Sequence, residues 1–423
     1  MTATTAKPHI SLAIKDLAPK WTFELPSSKS LSNRALIINH LYKQKIKLSN
    51  LSTAQDTLAL IAALENNDLE QQNIGGAGTA MRFLTAYYAV QPEKSVVLSG
   101  DERMHQRPIK DLVDALLQLG ADIQYLGQEG FPPLKITGKK LIGGQVTVNS
   151  QVSSQFITAL MLIAPKTKEG IEIQFNEVPI SQTYITMTMS LMSSLGFLVD
   201  HTQNNITVAP GRPRAKKHEV ENDWSSASYA YALMALVPDV ENIELPKLKK
   251  KSWQGDGILP ALFHQWGIET HFEPKATFLS HPTATQPKAF ECFMQDHPDL
   301  VMTFAVVCCL QQIPFRLSGI KHLAYKESNR IQALINELQK IGAEDINFSE
   351  DALVCNHFNN DFKQKPAIHI QTYDDHRMAM SFAPAALLYP QIKIEQPDCV
   401  QKSFPKFWEQ IARNGIELTR LTL

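Results

Sequence analysis

Six apolar runs of helical character occur along the chain, and each one directly follows a short polar cluster. The runs are ALIINHL, FLTAYYAV, FITALMLIA, YAYALMAL, LVMTFAVVCCL and MAMSFAPAALL. Markers in the last five polar clusters follow one another at 75, 72, 73 and 76 residues: Thr79, Ser154, Ser226, Asp299 and Asp375. Ser, Thr and Asp side chains commonly accept hydrogen bonds from the unpaired N–H groups at a helix start. The pattern therefore predicts six helices in a repeated unit, with one shorter step of 47 residues from Ser32 to Thr79.

Short β-rich segments and four amphipathic helices separate these runs. The strand candidates are HISLAIKD, KWTFELP, KSVVLSG, LKITG, GQVTVN, IEIQF, NITVAP, PFRLSG, AIHIQT and QIKIEQ. The amphipathic candidates IKDLVDALLQLGA, YITMTMSLMSSLG, GILPALFHQWG and RIQALINELQKIGA each end near a glycine typical of a helix C-terminus (Gly120, Gly196, Gly267 and Gly342). The alternation predicts an α/β fold of repeats rather than one Rossmann sheet. The six polar-headed helices are apolar on nearly all sides, so we expect them inside each domain and the amphipathic ones outside.

Two groups of three repeats predict two similar lobes. A chain of 423 residues with 44% hydrophobic residues is long enough for two sizeable cores. We place the first lobe at residues 26–223 and the second at residues 1–25 and 224–423. The boundary then lies near Asp223, after a polar stretch and before the fourth helix.

Net charge, apolar stretches and cysteine spacing limit the classes of protein to which this chain could belong. The 41 basic and 42 acidic residues give a net charge of −1, so no field of the whole molecule favours nucleic acid or a membrane. The start MTATTAKPHISLAIKD lacks the apolar core of a signal peptide, and no apolar stretch approaches the roughly 18 residues of a membrane span. The five cysteines show no C-x-x-C spacing. We expect a cytoplasmic protein that uses no metal and no cofactor.

The motif LPSSKSLSNR at residues 25–34 ends an extended segment and opens the first helix. Lys29 and Arg34 should lie near the positive end of that helix, which favours an anion. A Walker A phosphate loop is a rival interpretation, but it requires glycines and none occurs in this motif. A capped helix with solvated basic side chains is the plain alternative.

Five further motifs place cations or glycines at comparable turns and helix starts. They are NIGGAGTAMR, GDERMHQRP, KESNR, DDHR and PDCVQKSFP. Each alone is typical of surface ion pairs. Their recurrence at equivalent positions of the repeats favours a site for an anionic ligand. Asp374, Asp375 and His376 could be read as metal ligands, but adjacent helical residues do not face one site.

These motifs resemble the 5-enolpyruvylshikimate-3-phosphate synthase family over essentially the whole chain. The strings that carry the resemblance are LPSSKSLSNRAL, AGTAMR, GDERMHQRP, SSQFITALM, DWSSASY, PDLVMT, KESNR, DDHRMAMSFA and KSFPKFW. The resemblance implies transfer of the enolpyruvyl group of phosphoenolpyruvate to the 5-hydroxyl of shikimate 3-phosphate, with release of phosphate, in aromatic amino acid biosynthesis. It also implies an inside-out α/β barrel in which each lobe has three βαβαββ copies. We further expect a monomer.

The resemblance implies a set of substrate-binding residues, with shikimate 3-phosphate mainly on the first lobe and phosphoenolpyruvate on the second. Shikimate 3-phosphate would contact Lys29, Ser30, Arg34, Ser153, Ser154, Gln155, Ser181, Tyr184, Asp299, His322 and Lys326. Phosphoenolpyruvate would contact Lys29, Gly78, Arg107, Gln155, Arg330, Arg377 and Lys402. Arginine suits a planar carboxylate because its donors pair bidentately, whereas lysine acts as a point charge. Two like charges about 4 Å apart repel by roughly 4 kcal/mol at an effective dielectric near 20, so cations are needed to hold two anionic substrates together.

Four residues are candidates for proton transfer, and the same resemblance points to three of them. Asp299 is the expected base for the 5-hydroxyl, and an ordinary helix cap is the alternative. Glu327 is the expected carrier of the proton that is added to the methylene carbon and later removed, and Lys29 competes for that role. His376 could orient or relay protons, or it could be a buried, hydrogen-bonded histidine.

Four positions depart from the family pattern. Gly76 stands where Asn is usual, and Phe83 stands where Pro is common. Asn329 replaces an Asp, and His322 replaces a substrate-contacting Asn. We expect turnover to survive these changes, whereas the response to the family inhibitor glyphosate stays open.

Other functions are less well supported. An enolpyruvyl transferase acting on a UDP-amino sugar shares the fold, but that family usually carries Cys or Asp in the loop where this chain has GDERMHQRP. A phosphate-loop kinase is disfavoured by the missing glycines. A protein that only binds shikimate 3-phosphate is disfavoured by the presence of Asp299, Glu327 and Lys402.

Overall fold

The computed structural model describes residues 8–66, 70–149, 153–202, 205–237, 239–281 and 285–421. The first seven residues, part of the segment in which we expect no signal peptide, lie outside this range. The described residues form two compact units. Unit I comprises those of Ser27–Glu221 and Trp253–Gly255, and unit II comprises those of Met1–Pro26, Asn222–Ser252 and Asp256–Leu423.

Helices and strands alternate along both units. The helices are α1 (Lys29–Leu41), α2 (Gln55–Glu65), α3 (Gly78–Ala89), α4 (Lys110–Gln118), α5 (Ser154–Ile163), α6 (Gln182–Ser194), α7 (Trp224–Leu236), α8 (Leu259–Phe263), α9 (Val301–Leu310), α10 (Arg330–Lys340), α11 (His376–Leu388) and α12 (Phe407–Ala412). The strands are β1 (His9–Ile14), β2 (Lys20–Thr22), β3 (Lys47–Ser49), β4 (Gln71–Asn73), β5 (Ser95–Ser99), β6 (Asp122–Tyr125), β7 (Leu134–Thr137), β8 (Gly144–Thr147), β9 (Ile171–Gln174), β10 (Val199–His201), β11 (Asn205–Val208), β12 (Lys217–Glu219), β13 (Asn242–Pro246), β14 (Glu269–Phe272), β15 (Ala276–Ser280), β16 (Phe290–Phe293), β17 (Phe315–Ser318), β18 (Asn347–Ser349), β19 (Ala352–Cys355), β20 (Ile368–Ile370), β21 (Ile392–Glu395) and β22 (Ile416–Leu421).

Five four-stranded sheets in the described chain share one topology. In the orders β4-β5-β7-β6, β10-β11-β9-β8 and β16-β17-β19-β18, one parallel pair is extended by two antiparallel strands. The sheets β14-β15-β13-β2 and β20-β21-β1-β22 have the same pattern, with a strand from the N-terminal segment completing each one. The repeat is therefore βαβαββ, as the family resemblance implies.

The first repeat is shorter than the other five. Its sheet consists of the parallel pair β12 and β3, and the chain passes from α2 toward β4 without an antiparallel pair in the described residues. The missing pair accounts for the short step of 47 residues between the first two polar clusters.

Three helices pack against one another at the centre of each unit. In unit I these are α1, α3 and α5, and in unit II they are α7, α9 and α11. Their side chains are buried almost all round, including every residue of α7. Helices α4 and α10 bury one face only. The expectation of buried polar-headed helices and peripheral amphipathic helices is confirmed.

Polar side chains cap four of the six central helices. The capping residues are Ser28 of α1, Ser153 of α5, Asp223 of α7 and Asp375 of α11. Helices α3 and α9 instead have Ala77 and Leu300 at the cap position, with no side-chain hydrogen bond. The interpretation of Asp299 as an ordinary helix cap is therefore wrong.

The four glycines expected to end amphipathic helices all have positive φ, between 71° and 106°. No helix among the described residues is long and apolar enough to cross a membrane.

Candidate active site

Lys29 is the first residue of α1, where Ser28 caps the helix. Its Nζ lies 2.7 Å from Oδ2 of Asp56, in the first turn of α2. The hydroxyl of Ser32 accepts a hydrogen bond of 2.9 Å from the backbone N–H of Ser52, which joins α1 to the chain that leads into α2. The Lys29 ammonium is therefore held at a defined place at the positive end of α1, with an exposed side-chain fraction of 16%.

Arg34 lies one turn further along α1 and joins three helices of unit I. Its Nε donates to Thr188 Oγ1 at 2.7 Å, and its Nη2 donates to the carbonyl of Tyr184 at 3.3 Å. Its guanidinium also faces the rings of Phe83 and Tyr184 at 5.5 and 6.0 Å. Burial lowers the pKa of Arg34 to about 10, so the side chain stays charged at neutral pH.

The start of α3 approaches Arg107 closely. A Cβ atom added at Gly78 would lie 2.7 Å from both Cζ and Nη2 of Arg107, so only glycine lets the guanidinium pack against this turn. Arg107 is 6% exposed, and its Nε has no hydrogen-bond partner among the described residues. A buried cation with an unused donor is suited to binding an anion. Arg82 instead donates to the carbonyls of Gly78 and Pro108, at 3.2 and 2.9 Å.

The starts of α5 and α6 supply hydroxyl and amide groups. Ser153 caps α5 by accepting from the N–H of Gln155 at 3.2 Å. The side-chain amide of Gln155 lies 3.4 Å from Thr79 Oγ1, which connects the starts of α5 and α3. Ser181 precedes α6 in a left-handed conformation with φ 55°, and the N–H of Tyr184 donates to its carbonyl at 3.1 Å.

The predicted site residues of unit II form a compact network around Arg330. Its Nε and Nη2 contact the carboxylate of Asp375 at 2.8 and 3.4 Å. Its Nη1 donates to Asp299 at 3.1 Å, and its Nη2 donates to Glu327 at 3.0 Å. The Arg330 side chain is 1% exposed. Burial acts to lower its pKa, but the three carboxylates outweigh burial and raise it, so Arg330 is a permanent cation.

Arg377 shares Asp299 with Arg330. Its Nη2 lies 2.7 Å from Asp299 Oδ2, and its Nη1 donates to the hydroxyl of Tyr229 at 3.4 Å. Burial acts to raise the pKa of Asp375, but the charge of Arg330, the hydrogen bond from Arg330 and the charge of His376 together outweigh burial and lower the pKa. Asp375 is fully buried and also caps α11, so it fixes Arg330 relative to the helix start that carries Arg377.

His322 and Lys326 lie near this network. Burial lowers the pKa of His322 to about 3, and the positive charge of Lys326 acts in the same direction. The Nε2 atom of His322 has no hydrogen-bond partner among the described residues. His322 is thus a neutral imidazole that can donate or accept one hydrogen bond from a ligand.

Lys402 is held by Asp374, which precedes α11. Its Nζ contacts Asp374 through a carboxylate oxygen at 2.6 Å and the backbone carbonyl at 2.8 Å. The Lys402 side chain is 17% exposed, whereas that of Asp374 is 64% exposed. His376 is the first residue of α11 and is buried, with Nδ1 3.9 Å from Asp375 Oδ1.

Direct contacts thus join Asp299, Glu327, Arg330 and Arg377 in unit II, and the charges of Asp299, Lys326 and Arg330 act on His322. In unit I, contacts join Arg34 to Tyr184 and Gly78 to Arg107. Ser30 contacts Arg34 through its backbone carbonyl. Within the described ranges, no cluster of three His, Cys, Asp or Glu side chains is arranged to hold a metal ion.

Sequence reasoning missed two residues that fix the predicted ones, Asp56 beside Lys29 and Tyr229 beside Arg377. It marked Asp375 at a helix start without assigning it the contact with Arg330 that the structure has. Asp56 stands in a polar cluster, TAQD, ahead of the apolar run LALIAAL. The same signal that located the six central helices could therefore have located it.

Known proteins resemble the chain over most of its length. A family profile described as EPSP synthase (3-phosphoshikimate 1-carboxyvinyltransferase) matches residues 66–411. A 3-phosphoshikimate 1-carboxyvinyltransferase of Bacteroides fragilis (strain YCH46) is 42% identical over 397 residues, which is 94% of this chain and 95% of the relative. A 3-phosphoshikimate 1-carboxyvinyltransferase of Haemophilus influenzae (strain Rd) is 34% identical over 432 residues, which is 94% of this chain and 96% of the relative.

A solved structure supports the fold independently of these sequences. The EPSP synthase from Acinetobacter baumannii matches with a TM-score of 0.71 at 22% identity, over 97% of this chain and 100% of that chain. The α/β fold of two repeat-built lobes expected from the sequence is thereby confirmed. The profile match and the relatives above 30% identity establish that the chain belongs to the EPSP synthase (3-phosphoshikimate 1-carboxyvinyltransferase) family.

Proposed function

We propose that this protein performs its family's reaction with the side chains at the starts of its central helices. As a family member, it is a transferase that moves the enolpyruvyl group of phosphoenolpyruvate to the 5-hydroxyl of shikimate 3-phosphate and releases phosphate. This reaction belongs to aromatic amino acid biosynthesis. The observation that carries the residue assignment is the network in which the partly buried Asp299 is shared by the buried Arg330 and Arg377.

Shikimate 3-phosphate would be held mainly by unit I. We assign its contacts to Lys29, Ser30, Arg34, Ser153, Ser154, Gln155, Ser181, Tyr184, Asp299, His322 and Lys326. The hydroxyls of Ser153 and Ser154 at the start of α5 suit a phosphate, since backbone N–H groups there add partial positive charge. Arg34 contributes less directly, because its donors already contact Thr188, the Ser30 carbonyl and the Tyr184 carbonyl.

Phosphoenolpyruvate would be held by cations that unit II mainly supplies. We assign its contacts to Lys29, Gly78, Arg107, Gln155, Arg330, Arg377 and Lys402. The unused Nε of Arg107 and the ammonium of Lys402 suit its phosphate, whereas the arginines suit its carboxylate.

The carboxylate of phosphoenolpyruvate would compete with Asp299 for Arg377 and Arg330. Both arginines contact Asp299, at 2.7 and 3.1 Å. A substrate carboxylate that takes over these contacts would release the Asp299 carboxylate from its strongest partners. Since two nearby cations stabilise a carboxylate, their loss makes Asp299 a stronger base. Binding of one substrate would thereby prepare the base that acts on the other.

The reaction then needs two proton transfers at carbon and one at oxygen. Asp299 takes the proton of the 5-hydroxyl, whose oxygen bonds to C2 of phosphoenolpyruvate while the methylene carbon gains a proton. Removal of a proton from that carbon then expels phosphate and restores the double bond. We assign the carbon-bound proton to Glu327, which Arg330 holds at 3.0 Å, with Lys29 as the competing group.

Phosphate release in the presence of different acceptors tests this function. With phosphoenolpyruvate present, release should occur with shikimate 3-phosphate and should not occur with UDP-N-acetylglucosamine or without an acceptor. ATP in place of phosphoenolpyruvate is the control for a kinase. Release that requires UDP-N-acetylglucosamine would contradict the proposal.

We also propose that the enzyme works in the cytoplasm as a monomer without a cofactor. The two substrates are small and charged, and the candidate residues all belong to one chain. Sedimentation of the purified protein at working concentration measures the oligomeric state. A monomer is expected, and a dimer would contradict this proposal.

A further inference from the structure

We propose that Gly255 and Glu221 are positioning residues for shikimate 3-phosphate, acting through the first turn of α6. This inference rests on the proposed function, because it takes Ser181 and Tyr184 as substrate contacts. Neither Gly255 nor Glu221 carries chemistry of its own in the reaction. Their part is to fix where the start of α6 lies.

Residues 253–255 belong to unit I, although the chain on both sides of them belongs to unit II. Glu221 holds this short segment with both carboxylate oxygens: one accepts from the N–H of Trp253 at 3.3 Å, the other from the amide of Gln254 at 3.2 Å. The indole of Trp253 stacks on His218, with ring centroids 5.8 Å apart and an interplanar angle of 7°. Gln254 is 7% exposed. The segment is thus fixed to unit I by several independent contacts.

Gly255, at the end of this segment, lies directly against Thr183 in the first turn of α6. A Cβ atom added at Gly255 would lie 2.5 Å from Thr183 Cγ2, 2.6 Å from its Oγ1 and closer still to its Cβ. Rotation about χ1 cannot relieve this overlap, because the Cβ of Thr183 is fixed by the helix backbone. A side chain at position 255 must therefore displace the start of α6 or the 253–255 segment.

The start of α6 is held in an uncommon conformation. Ser181 has φ 55° and ψ 46°, in the left-handed region that non-glycine residues seldom adopt. Such a conformation costs on the order of 1 kcal/mol and persists only where the surroundings enforce it. Arg34 contacts α6 through the Tyr184 carbonyl and Thr188 Oγ1, and Gly255 contacts it at Thr183. These contacts together determine where Ser181 and Tyr184 lie.

The alternative is that Gly255 serves only the stability of unit I. The two roles differ in what a substitution changes. A role in stability lowers the melting temperature and affects both substrates alike. A positioning role raises the KM for shikimate 3-phosphate while the KM for phosphoenolpyruvate and kcat change little, since most assigned phosphoenolpyruvate contacts lie elsewhere.

Gly255→Ala tests the inference, with Gly257→Ala as the matched control. A Cβ at Gly257 would meet its nearest atom, Trp224 Cε2, at 4.0 Å, so the control adds the same methyl group without a clash. We expect Gly255→Ala to raise the KM and the calorimetric Kd for shikimate 3-phosphate about tenfold or more, because misplacement of a positioning group by about 1 Å can cost up to a hundredfold. Gly257→Ala should stay within about twofold of wild type.

Two further variants keep the test decisive if Gly255→Ala folds poorly. Adding Thr183→Gly to Gly255→Ala removes the atoms that clash and should restore much of the affinity. Glu221→Gln leaves one of its two acceptors and should raise the same KM about threefold. Equal KM values for the variants at 255 and 257, or parallel losses for both substrates with a lower melting temperature, would overturn the inference. An inactive wild type would instead refute the proposed function, and calorimetry with shikimate 3-phosphate would still compare the variants.

Discussion

One carboxylate oxygen of Asp299, Oδ2, lies 2.7 Å from Nη2 of Arg377, and the other, Oδ1, lies 3.1 Å from Nη1 of Arg330. One carboxylate thus separates two guanidinium groups that would otherwise repel each other. The residue proposed as the base is therefore bound by the residues proposed to hold phosphoenolpyruvate. The proposed base and the proposed binding site are thus coupled through this shared contact.

Asp299→Asn should reduce kcat much more than affinity for shikimate 3-phosphate. Loss of a general base commonly costs about a hundredfold or more in rate. Asn keeps the shape and one acceptor, and Arg330 keeps its contacts with Asp375 and Glu327. Steady-state kinetics with calorimetric Kd values measure both effects, and Asp361→Asn, at an exposed position, is the control. Losses of equal size in kcat and affinity would assign Asp299 to binding.

Lys29→Met should abolish turnover while the fold persists. The substitution removes the charge that lies 2.7 Å from Asp56 and leaves that carboxylate without its cation. Circular dichroism and a phosphate-release assay measure fold and turnover. Lys135→Met, on an exposed position of β7, should retain wild-type activity. A Lys29→Met enzyme with near-normal rates would remove Lys29 from the site.

Arg34→Met should destabilise unit I and weaken binding of shikimate 3-phosphate. The variant loses hydrogen bonds to Thr188, to the Ser30 carbonyl and to the Tyr184 carbonyl. Breaking a buried network of this kind costs roughly 2–4 kcal/mol. Denaturant unfolding measures the loss, and Arg212→Met at an exposed position is the control. Equal unfolding free energies for the two variants would show that Arg34 does not support α6.

His322 should make the protein less stable as the pH falls from about 6.5 towards 3. In the unfolded chain a histidine gains a proton near pH 6.5, whereas the folded protein resists protonation down to a pKa of about 3. Between these values the unfolded state binds the extra proton, so stability decreases by up to about 1.4 kcal/mol per pH unit. His322→Asn removes this loss. Urea unfolding of both proteins at several pH values should show the stability difference shift in favour of the variant as pH falls, and a difference independent of pH would contradict the assignment.

The hydrophobic pattern predicted the architecture because two signals agree: the spacing of the apolar residues, and the polar residues and glycines at the ends of the elements. Each of the ten segments proposed as strands contains one, and all six polar-headed helices are present. Several strands were missed. Some, such as β3, β12 and β18, have three residues, which are too few for a period to emerge. Longer ones, β13, β15 and β22, were missed as well. Helix α2 was missed although it has the same polar start and apolar run as the others.

The site was predictable by residue type and helix position, but its internal partners were not. Lys29, Arg330 and Arg377 stand in motifs with several charged residues, which mark them out along the chain. Their pairing depends on contacts between distant segments, such as Arg330 with Asp375. Position in the chain also suggested that Asp299 begins its helix, whereas Leu300 occupies the cap and Asp299 contacts two arginines.

The bond broken in phosphoenolpyruvate tests the central claim most directly. Phosphoenolpyruvate labelled with ¹⁸O at the oxygen between C2 and phosphorus is turned over with shikimate 3-phosphate, and the products are analysed by mass spectrometry. Enolpyruvyl transfer breaks the bond between C2 and this oxygen, so the account predicts the label in the released phosphate and none in the enolpyruvyl ether. Label retained in pyruvate would show that the bond to phosphorus breaks instead, as in a phosphoryl transfer, and would contradict the account.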